Sequence, residues 1–183
     1  MAEDVPAMTD EQAIDDALLL EYQARLSALR YDGGGAVAAL VITPEMDRHD
    51  YVNALRILPG TGVEGQYPGK QWWRGKLVPG RQVSAINAEV LDALGIAYDV
   101  PGDNLIVQSV DLSQFQPGDT LRIGDALLTV TPTPHRPCSK LAARTSLTKK
   151  QALSEGRLRG ILLDAREPAT IRMGDRVELL ILS

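Results

Sequence analysis

The segment Thr120–Thr131, Thr-Leu-Arg-Ile-Gly-Asp-Ala-Leu-Leu-Thr-Val-Thr, carries the clearest strand–turn–strand pattern in the chain. Apolar residues flank Gly124-Asp125 on both sides, and a two-residue turn of type II′ in this setting is typical of a β-hairpin. Further short strands are predicted at Asn104–Val110, Leu158–Ala165 and Val177–Leu182. Many short strands, separated by Gly and Pro turns and accompanied by few helices, predict a β-barrel or a mostly β, α+β domain.

The first 35 residues are predicted to form a helical extension, 1–35, ahead of a β domain at 36–183. Thr9 and Gln12 fit a capping box at the start of a helix over Thr9–Arg30, and Gly33-Gly34-Gly35 ends it. Five apolar residues lie on one stripe of this helix: Ile14, Leu18, Tyr22, Leu26 and Leu29. This stripe has to be buried, either on its own domain or on a second subunit in a homodimer.

The composition argues against several classes of protein. The hydrophobic content of 44% is sufficient for a core, and the net charge is −5. Binders of nucleic acid or of membrane surfaces need a dominant basic field, which this charge does not provide. The acidic N-terminus lacks a signal segment, and no apolar run approaches the ~18 residues of a membrane span. A single cysteine excludes an internal disulfide, and the cytoplasm, where a thiol stays reduced, is the predicted location.

The only cysteine lies in Thr131–Leu141, Thr-Pro-Thr-Pro-His-Arg-Pro-Cys-Ser-Lys-Leu, directly after the hairpin. Arg136 and Lys140 flank Cys138, and nearby positive charge favours the thiolate, which is a nucleophile and a soft metal ligand. The proline before the cysteine fixes the local φ, so the loop is predicted to be stiff. Two other interpretations stay open: an inert buried cysteine, and half of a zinc site with His135.

Two stretches, Gly65–Ala88 and Ala126–Ser154, contain no acidic residue. Their basic residues are Lys70, Arg74, Lys76, Arg81, Arg136, Lys140, Arg144, Lys149 and Lys150. Both stretches could converge on one anionic ligand, because Arg and Lys bind oxyanions through charge-assisted hydrogen bonds. Two solvated basic faces are the alternative. Trp72-Trp73, in the first stretch, would either pack in the core or a dimer interface, or stack on a flat ligand.

An ordered series of short motifs resembles the MOSC domain, the C-terminal module of molybdenum-cofactor sulfurases, which also occurs as small stand-alone bacterial proteins. The resemblance covers about residues 36–182. Its motifs, in chain order, are Gly80-Arg81-Gln82-Val83-Ser84, Glu89, Gly102-Asp103-Asn104-Leu105, Asp111-Leu112, Gly118-Asp119, Ile123-Gly124, Pro137-Cys138, Arg159-Gly160-Ile161 and Met173-Gly174-Asp175.

The resemblance implies a MOSC-type β-barrel that binds molybdenum cofactor, with Cys138 as the catalytic residue and the ligand to molybdenum. Contacts to the cofactor are expected from polar and basic side chains of the motifs and their surroundings, namely Arg81, Ser84, Asn104, Arg136, Lys140 and Arg144. In the family's reductase branch the metal reduces N-hydroxylated compounds. For that function a separate flavin or iron–sulfur redox partner is expected.

The chain departs from the family pattern in one segment. Many members have Gly-Asp-x-His-x-Gly where this chain has Gly65-Gln66-Tyr67-Pro68-Gly69, without the Asp and the His. This departure keeps open a non-catalytic binding module. A sulfur carrier is the other alternative, in which Cys138 would hold a persulfide received from a cysteine desulfurase. A ligand role requires an accessible Cys138 in a cavity lined by both acid-free stretches, whereas the inert interpretation requires burial.

Overall fold

The computed structural model describes residues 13–67, 72–73, 76–78 and 80–180. Its strands are β1 (Ala36–Glu45), β2 (Arg48–Tyr51), β3 (Ala54–Leu58), β4 (Gly62–Val63), β5 (Trp72–Trp73), β6 (Lys76–Leu77), β7 (Val83–Asn87), β8 (Leu105–Gln108), β9 (Thr120–Ile123), β10 (Ala126–Val130), β11 (Ile161–Ala165), β12 (Ala169–Arg172) and β13 (Val177–Leu180). Its α-helices are α1 (Asp16–Ser27), α2 (Ala88–Ala93), α3 (Ser139–Arg144) and α4 (Leu147–Gly156).

Eight strands form one sheet in the order β13-β9-β10-β11-β7-β8-β1-β2, and β12-β3-β4 form a smaller one. The predicted hairpin is confirmed, because Ala126 pairs with Ile123 and Gly124 adopts a φ of 57°. β11 lies between β10 and β7, so it joins the hairpin to the first acid-free stretch. β7 and β8 are parallel and are connected through α2, as parallel neighbours need a crossover.

The predicted α+β class is confirmed, since one large sheet is combined with few helices. The closed barrel is not confirmed. An isolated bridge between Ala36 and Arg176 brings the start of β1 near the start of β13. Within the described residues, however, no continuous ladder joins these two strands.

The core has two parts, which lie on opposite faces of the central strands. On β8, Leu105 and Val107 belong to the first part, which the two sheets enclose. Ile106 points the other way, as alternation along a strand requires, and packs with Leu91 of α2 and Leu153 of α4. Because it is covered on both faces, β8 carries a continuous apolar run at 105–107, which begins directly after the buried polar residue Asn104.

The N-terminal helix is shorter than predicted, and it is packed on its own chain. Asp15 caps α1, because its carboxylate accepts a hydrogen bond from the Leu18 amide. Tyr22 and Leu26 are buried in the second part of the core, whereas Ile14 is 45% exposed. The capping box predicted at Thr9 and Gln12 lies outside the described residues. The division at residue 35 stays a prediction.

Three local features differ from the sequence prediction. A helix, α3, begins at Ser139, where the Cys138 loop was expected to continue. The apolar run 36–43 was expected to end at Pro44, but β1 continues to Glu45, and the irregular register with β2 at this point tolerates the missing N–H of the proline. β12 was not predicted. None of the helices in the described part of the chain combines the length and hydrophobicity needed to cross a membrane.

Candidate functional site

A cavity of about 230 Å³ lies at the end of the Pro-rich segment, and it is called the Cys138 cavity below. Its lining comes from both acid-free stretches and from two segments elsewhere in the chain. The lining residues are Gln66, Arg81, Ser84, Asn104, Pro134, His135, Arg136, Cys138, Arg159 and Leu162. The two stretches therefore converge, and five of the seven predicted site residues lie together.

The loop that carries Cys138 is held in place by its contact with Gly80, the first residue of the MOSC-like motifs. Thr131 Oγ1 donates a hydrogen bond to the Gly80 carbonyl at 3.1 Å. Gly80 has a φ of 73°, and a Cβ there would lie 2.6 Å from Thr133 Oγ1. Only glycine allows this approach. Cys138 itself is exposed, and this exposure argues against the interpretation that it is an inert buried cysteine.

Ser84 and Asn104 form the joint between β7 and β8 at the cavity. Asn104 Oδ1 accepts hydrogen bonds from Ser84 N at 3.3 Å and from Ser84 Oγ at 3.4 Å. Asn104 Nδ2 donates to the Val41 carbonyl of β1 at 3.1 Å. Asn104 is only 1% exposed, so its hydrogen bonds hold three strands in register while Ser84 remains half-buried at the cavity.

Arg81 and Arg136 are the two exposed cations of the Cys138 cavity. Neither forms an ion pair with another residue that the structure describes. An unpaired guanidinium presents several N–H donors in a planar fork, which suits oxyanions. The cavity thus combines an accessible thiol with two cations that no described acid neutralises.

Lys140 and Arg144 are placed differently from Arg81 and Arg136. They lie on α3, outside the lining of the Cys138 cavity, and both bind Asp47 in the turn between β1 and β2. The Lys140 Nζ to Asp47 Oδ1 distance is 3.1 Å. Hydrogen bonds from Lys140, and then from Arg144, lower the pKa of the Asp47 carboxyl below its ordinary value. The structure therefore does not bring these two predicted contacts together with Cys138.

The cavity is bordered by a buried ion pair that was not predicted from the sequence. Arg159 Nη1 donates a hydrogen bond to Asp103 Oδ2, and the two side chains are 6% and 1% exposed. His135 Nε2 lies 3.7 Å from Asp103 Oδ1. Asp103 and Arg159 each belong to one of the motifs quoted above, and this membership was the only indication in the sequence that either residue matters. Nothing in the sequence indicates that two residues so far apart form a pair.

Gly160 fixes where Arg159 lies. It has a φ of 90°, and a Cβ at this position would lie 1.9 Å from the Ala85 carbonyl oxygen of β7. The backbone after Arg159 therefore runs directly against β7, which no side chain would allow. This close approach places the guanidinium at the wall of the Cys138 cavity.

Two predictions concern parts of the chain that the structure leaves largely undescribed. Lys70 and Arg74 lie outside the described residues, while Trp72–Trp73 forms β5, paired with β6. The roles predicted for the two tryptophan side chains stay predictions. No group of three or more His, Cys, Asp or Glu side chains suited to a metal ion occurs in the described residues, so nothing there supports the zinc interpretation of His135.

Comparison with known families places residues 74–178, more than half of the chain, in the MOSC domain. Among solved structures, the YuaD protein of Bacillus subtilis superposes with a TM-score of 0.64 and 17% identity, over 81% of this chain and 97% of YuaD. YiiM of Escherichia coli gives a TM-score of 0.57 and 23% identity, over 81% and 71%. At these identities, the structures are evidence for a shared fold. A search of curated proteins finds no significant match.

Proposed function

Because this chain belongs to the MOSC domain family, which is generally associated with molybdenum cofactor, we propose that the Cys138 cavity binds this cofactor. The proposed activity is the reduction of N-hydroxylated compounds. In such a reaction two electrons from a flavin or iron–sulfur partner protein and two protons from solvent convert the N–OH group to N–H, while the N–O bond breaks and water leaves. We place this activity in the cytoplasm, as the sequence predicts. The observation that carries the proposal is the accessible thiol beside two cations that no described acid neutralises.

The donor set of the cavity fits the chemistry of the cofactor. Molybdenum takes soft thiolate ligands, and Cys138 offers an exposed sulfur. The cofactor carries a phosphate, and Arg81 and Arg136 have guanidinium groups available for charge-assisted hydrogen bonds. When bound, the molybdenum centre would supply the electron transfer to the substrate.

The remaining residues of the cavity would hold these groups in position. The Ser84 hydroxyl donates its proton to Asn104 Oδ1, so its oxygen can accept a hydrogen bond from an N–H group of the ligand, on a strand that Asn104 holds in register. The pair of Arg159 and Asp103 would orient His135, whose Nε2 faces the Asp103 carboxylate. Lys140 and Arg144 would contact the cofactor only after they leave Asp47, so we assign them a secondary role.

The decisive experiment measures molybdenum and pterin in protein purified without oxygen from a host that makes the cofactor. Wild type is expected to contain both, while Cys138→Ser should lose most of the molybdenum because a hydroxyl is a harder ligand. Ser139→Ala is the matched control, since this neighbouring side chain does not line the cavity. Molybdenum-free wild type, or equal molybdenum in wild type and Cys138→Ser, would contradict the proposal.

The exposed thiol also supports a second candidate function, that of a sulfur carrier. In this function a cysteine desulfurase transfers sulfane sulfur to the Cys138 thiolate, forming a persulfide that is passed on to an acceptor. Intact-mass measurement after incubation with a desulfurase and free cysteine should then show wild type heavier by one sulfur atom. Cys138→Ser should show no such gain. A wild-type mass that does not change would contradict this function.

A further inference from the structure

A second and larger cavity, of about 500 Å³, is also lined by the segment 134–137, and it is called the Arg157 cavity below. The segments that line it are the C-terminal end of α4, the start of β11 and the short 3-10 helix Leu112–Gln114. Its lining residues are Asn87, Leu112, Ser113, Phe115, Pro134, His135, Arg136, Pro137, Leu153, Ser154, Arg157, Arg159, Gly160 and Ile161. It shares Pro134, His135, Arg136 and Arg159 with the Cys138 cavity, but it does not include Cys138.

The lining of the Arg157 cavity is cationic. It contains three arginines and no acidic residue. Arg159 is neutralised by Asp103, but Arg136 and Arg157 are exposed and form no ion pair with a described residue. Glu155, the acid closest to Arg157 in sequence, accepts hydrogen bonds from Gln23 and Gln151 and does not line the cavity.

Arg157 occupies a backbone position that normally favours glycine. It follows α4 in the left-handed region, with φ 54° and ψ 35°. Helices commonly end with glycine in this conformation, because an L side chain is strained there. Arg157 nevertheless adopts this strained backbone conformation and lines the cavity. Strained residues are concentrated at ligand sites, so this observation supports a ligand independently of the number of arginines in the lining.

The rest of the lining indicates what kind of ligand the cavity accepts. Phe115, Leu153 and Ile161 provide an apolar surface, and Ser113 and Ser154 provide hydroxyl groups. Cavities of roughly 300–1,000 Å³ with apolar walls and a few polar groups are typical sites for small organic ligands. We propose that the Arg157 cavity binds a small organic anion, with its phosphate or carboxylate at Arg136 and Arg157 and its apolar body at Phe115.

Arg136 lines both cavities, so an anion in one cavity competes for this cation with an anion in the other. Binding in the Arg157 cavity does not require the cofactor. The proposal therefore stands or fails separately from the proposed function of Cys138.

Phenyl phosphate is a suitable probe, because it combines an oxyanion with an aromatic body. Phe115 is the only phenylalanine in the chain, so NMR signals of isotope-labelled phenylalanine report on this cavity alone. Titration of the full-length protein with phenyl phosphate is expected to shift these signals in a saturable way. Inorganic phosphate and phenol should each bind at least about tenfold more weakly, since each lacks one of the two contacts. Benzoate that binds as tightly as phenyl phosphate would identify the anion as a carboxylate-type ligand, while weaker benzoate binding would identify a phosphate ligand.

Arg157→Gly separates a ligand role from a structural one. It removes the guanidinium and also relieves the left-handed strain, so the melting temperature should stay the same or rise. The affinity for phenyl phosphate should nevertheless fall about tenfold or more. Arg122→Gln removes the same charge at an exposed arginine that lines neither the Arg157 cavity nor the Cys138 cavity, so it should leave this affinity unchanged. Wild-type affinity in Arg157→Gly, or an equal loss in Arg122→Gln, would overturn the proposal.

Discussion

The guanidinium of Arg159, in the wall of the Cys138 cavity, donates a hydrogen bond to the carboxylate of Asp103, and both side chains are almost completely buried. The pair joins the start of β8 to the approach to β11. A buried charge that loses its partner stays desolvated without compensation, so each partner depends on the other.

Asp103→Ala should therefore destabilise the fold by about 3–5 kcal/mol, because it leaves the Arg159 charge buried and unpaired. The double variant Asp103→Ala/Arg159→Met should recover part of this loss, since it removes both charges. Urea unfolding of the two variants measures the difference. A loss below about 1 kcal/mol in Asp103→Ala would show that the pair is hydrated in solution.

Gly160→Ala should lower the free energy of unfolding by about 2–5 kcal/mol, from the strain of a positive φ and from the clash with the Ala85 carbonyl. Gly95→Ala is the matched control. Gly95 has a φ of 58° but open space around its missing Cβ, so only the backbone strain of about 1 kcal/mol applies. Equal losses of unfolding free energy in the two variants would contradict this prediction, because they would mean that β11 moves away from β7 with little loss of stability.

Asp47→Asn should increase the affinity for inorganic phosphate at α3 by about two- to fivefold at low salt, because Lys140 and Arg144 lose their neutralising partner. The midpoint of thermal unfolding should hardly change, since these ion pairs are exposed. Calorimetric titration with phosphate at two salt concentrations tests this. The gain in affinity should disappear in the triple variant Asp47→Asn/Lys140→Gln/Arg144→Gln.

Tyr31 should make the stability of the fold sensitive to alkali. Burial, followed by the charges of Asp111 and Glu89, raises the pKa of its hydroxyl from 10.0 to about 12. The folded state favours the neutral form of Tyr31, which therefore contributes to the free energy of unfolding. This contribution is complete below pH 10.0 and is lost as the pH rises through about 12. Urea unfolding at several alkaline pH values should show this loss in wild type and a smaller loss in Tyr31→Phe.

The parts of the fold that were predicted correctly are those where local chemistry decides the structure. The Gly124-Asp125 turn lies between two apolar strands, and the helical spacing of Tyr22 and Leu26 matches the buried face of α1. The helix α3 was missed because the prolines before Cys138 indicate a loop, while its stability depends on burying Leu141 in the distant second part of the core. β12 was missed because it pairs with β3, a strand far away in sequence.

The same distinction applies to the candidate site. Of the two interpretations of the acid-free stretches, convergence agrees with the cavity that Arg81 and Arg136 both line, while the ligand-binding roles of these arginines stay predictions. The acid-free stretches did not predict the position of Lys140 and Arg144, because the acid that binds them, Asp47, comes from a turn about ninety residues earlier. Counting charges within one stretch of sequence cannot detect an ion-pair partner that lies in a distant stretch and is brought close only by folding.

The position of β11 between β10 and β7 has a consequence for how the cavity is made during synthesis. The ribosome completes Arg81, Asn104 and Cys138 before β11, yet the strands that carry the two acid-free stretches meet only through β11. Chains grow from the N-terminus at roughly 5–20 residues per second, so the thiol emerges while the cavity is still open. The Cys138 cavity is therefore complete only after β11 has paired with both β10 and β7.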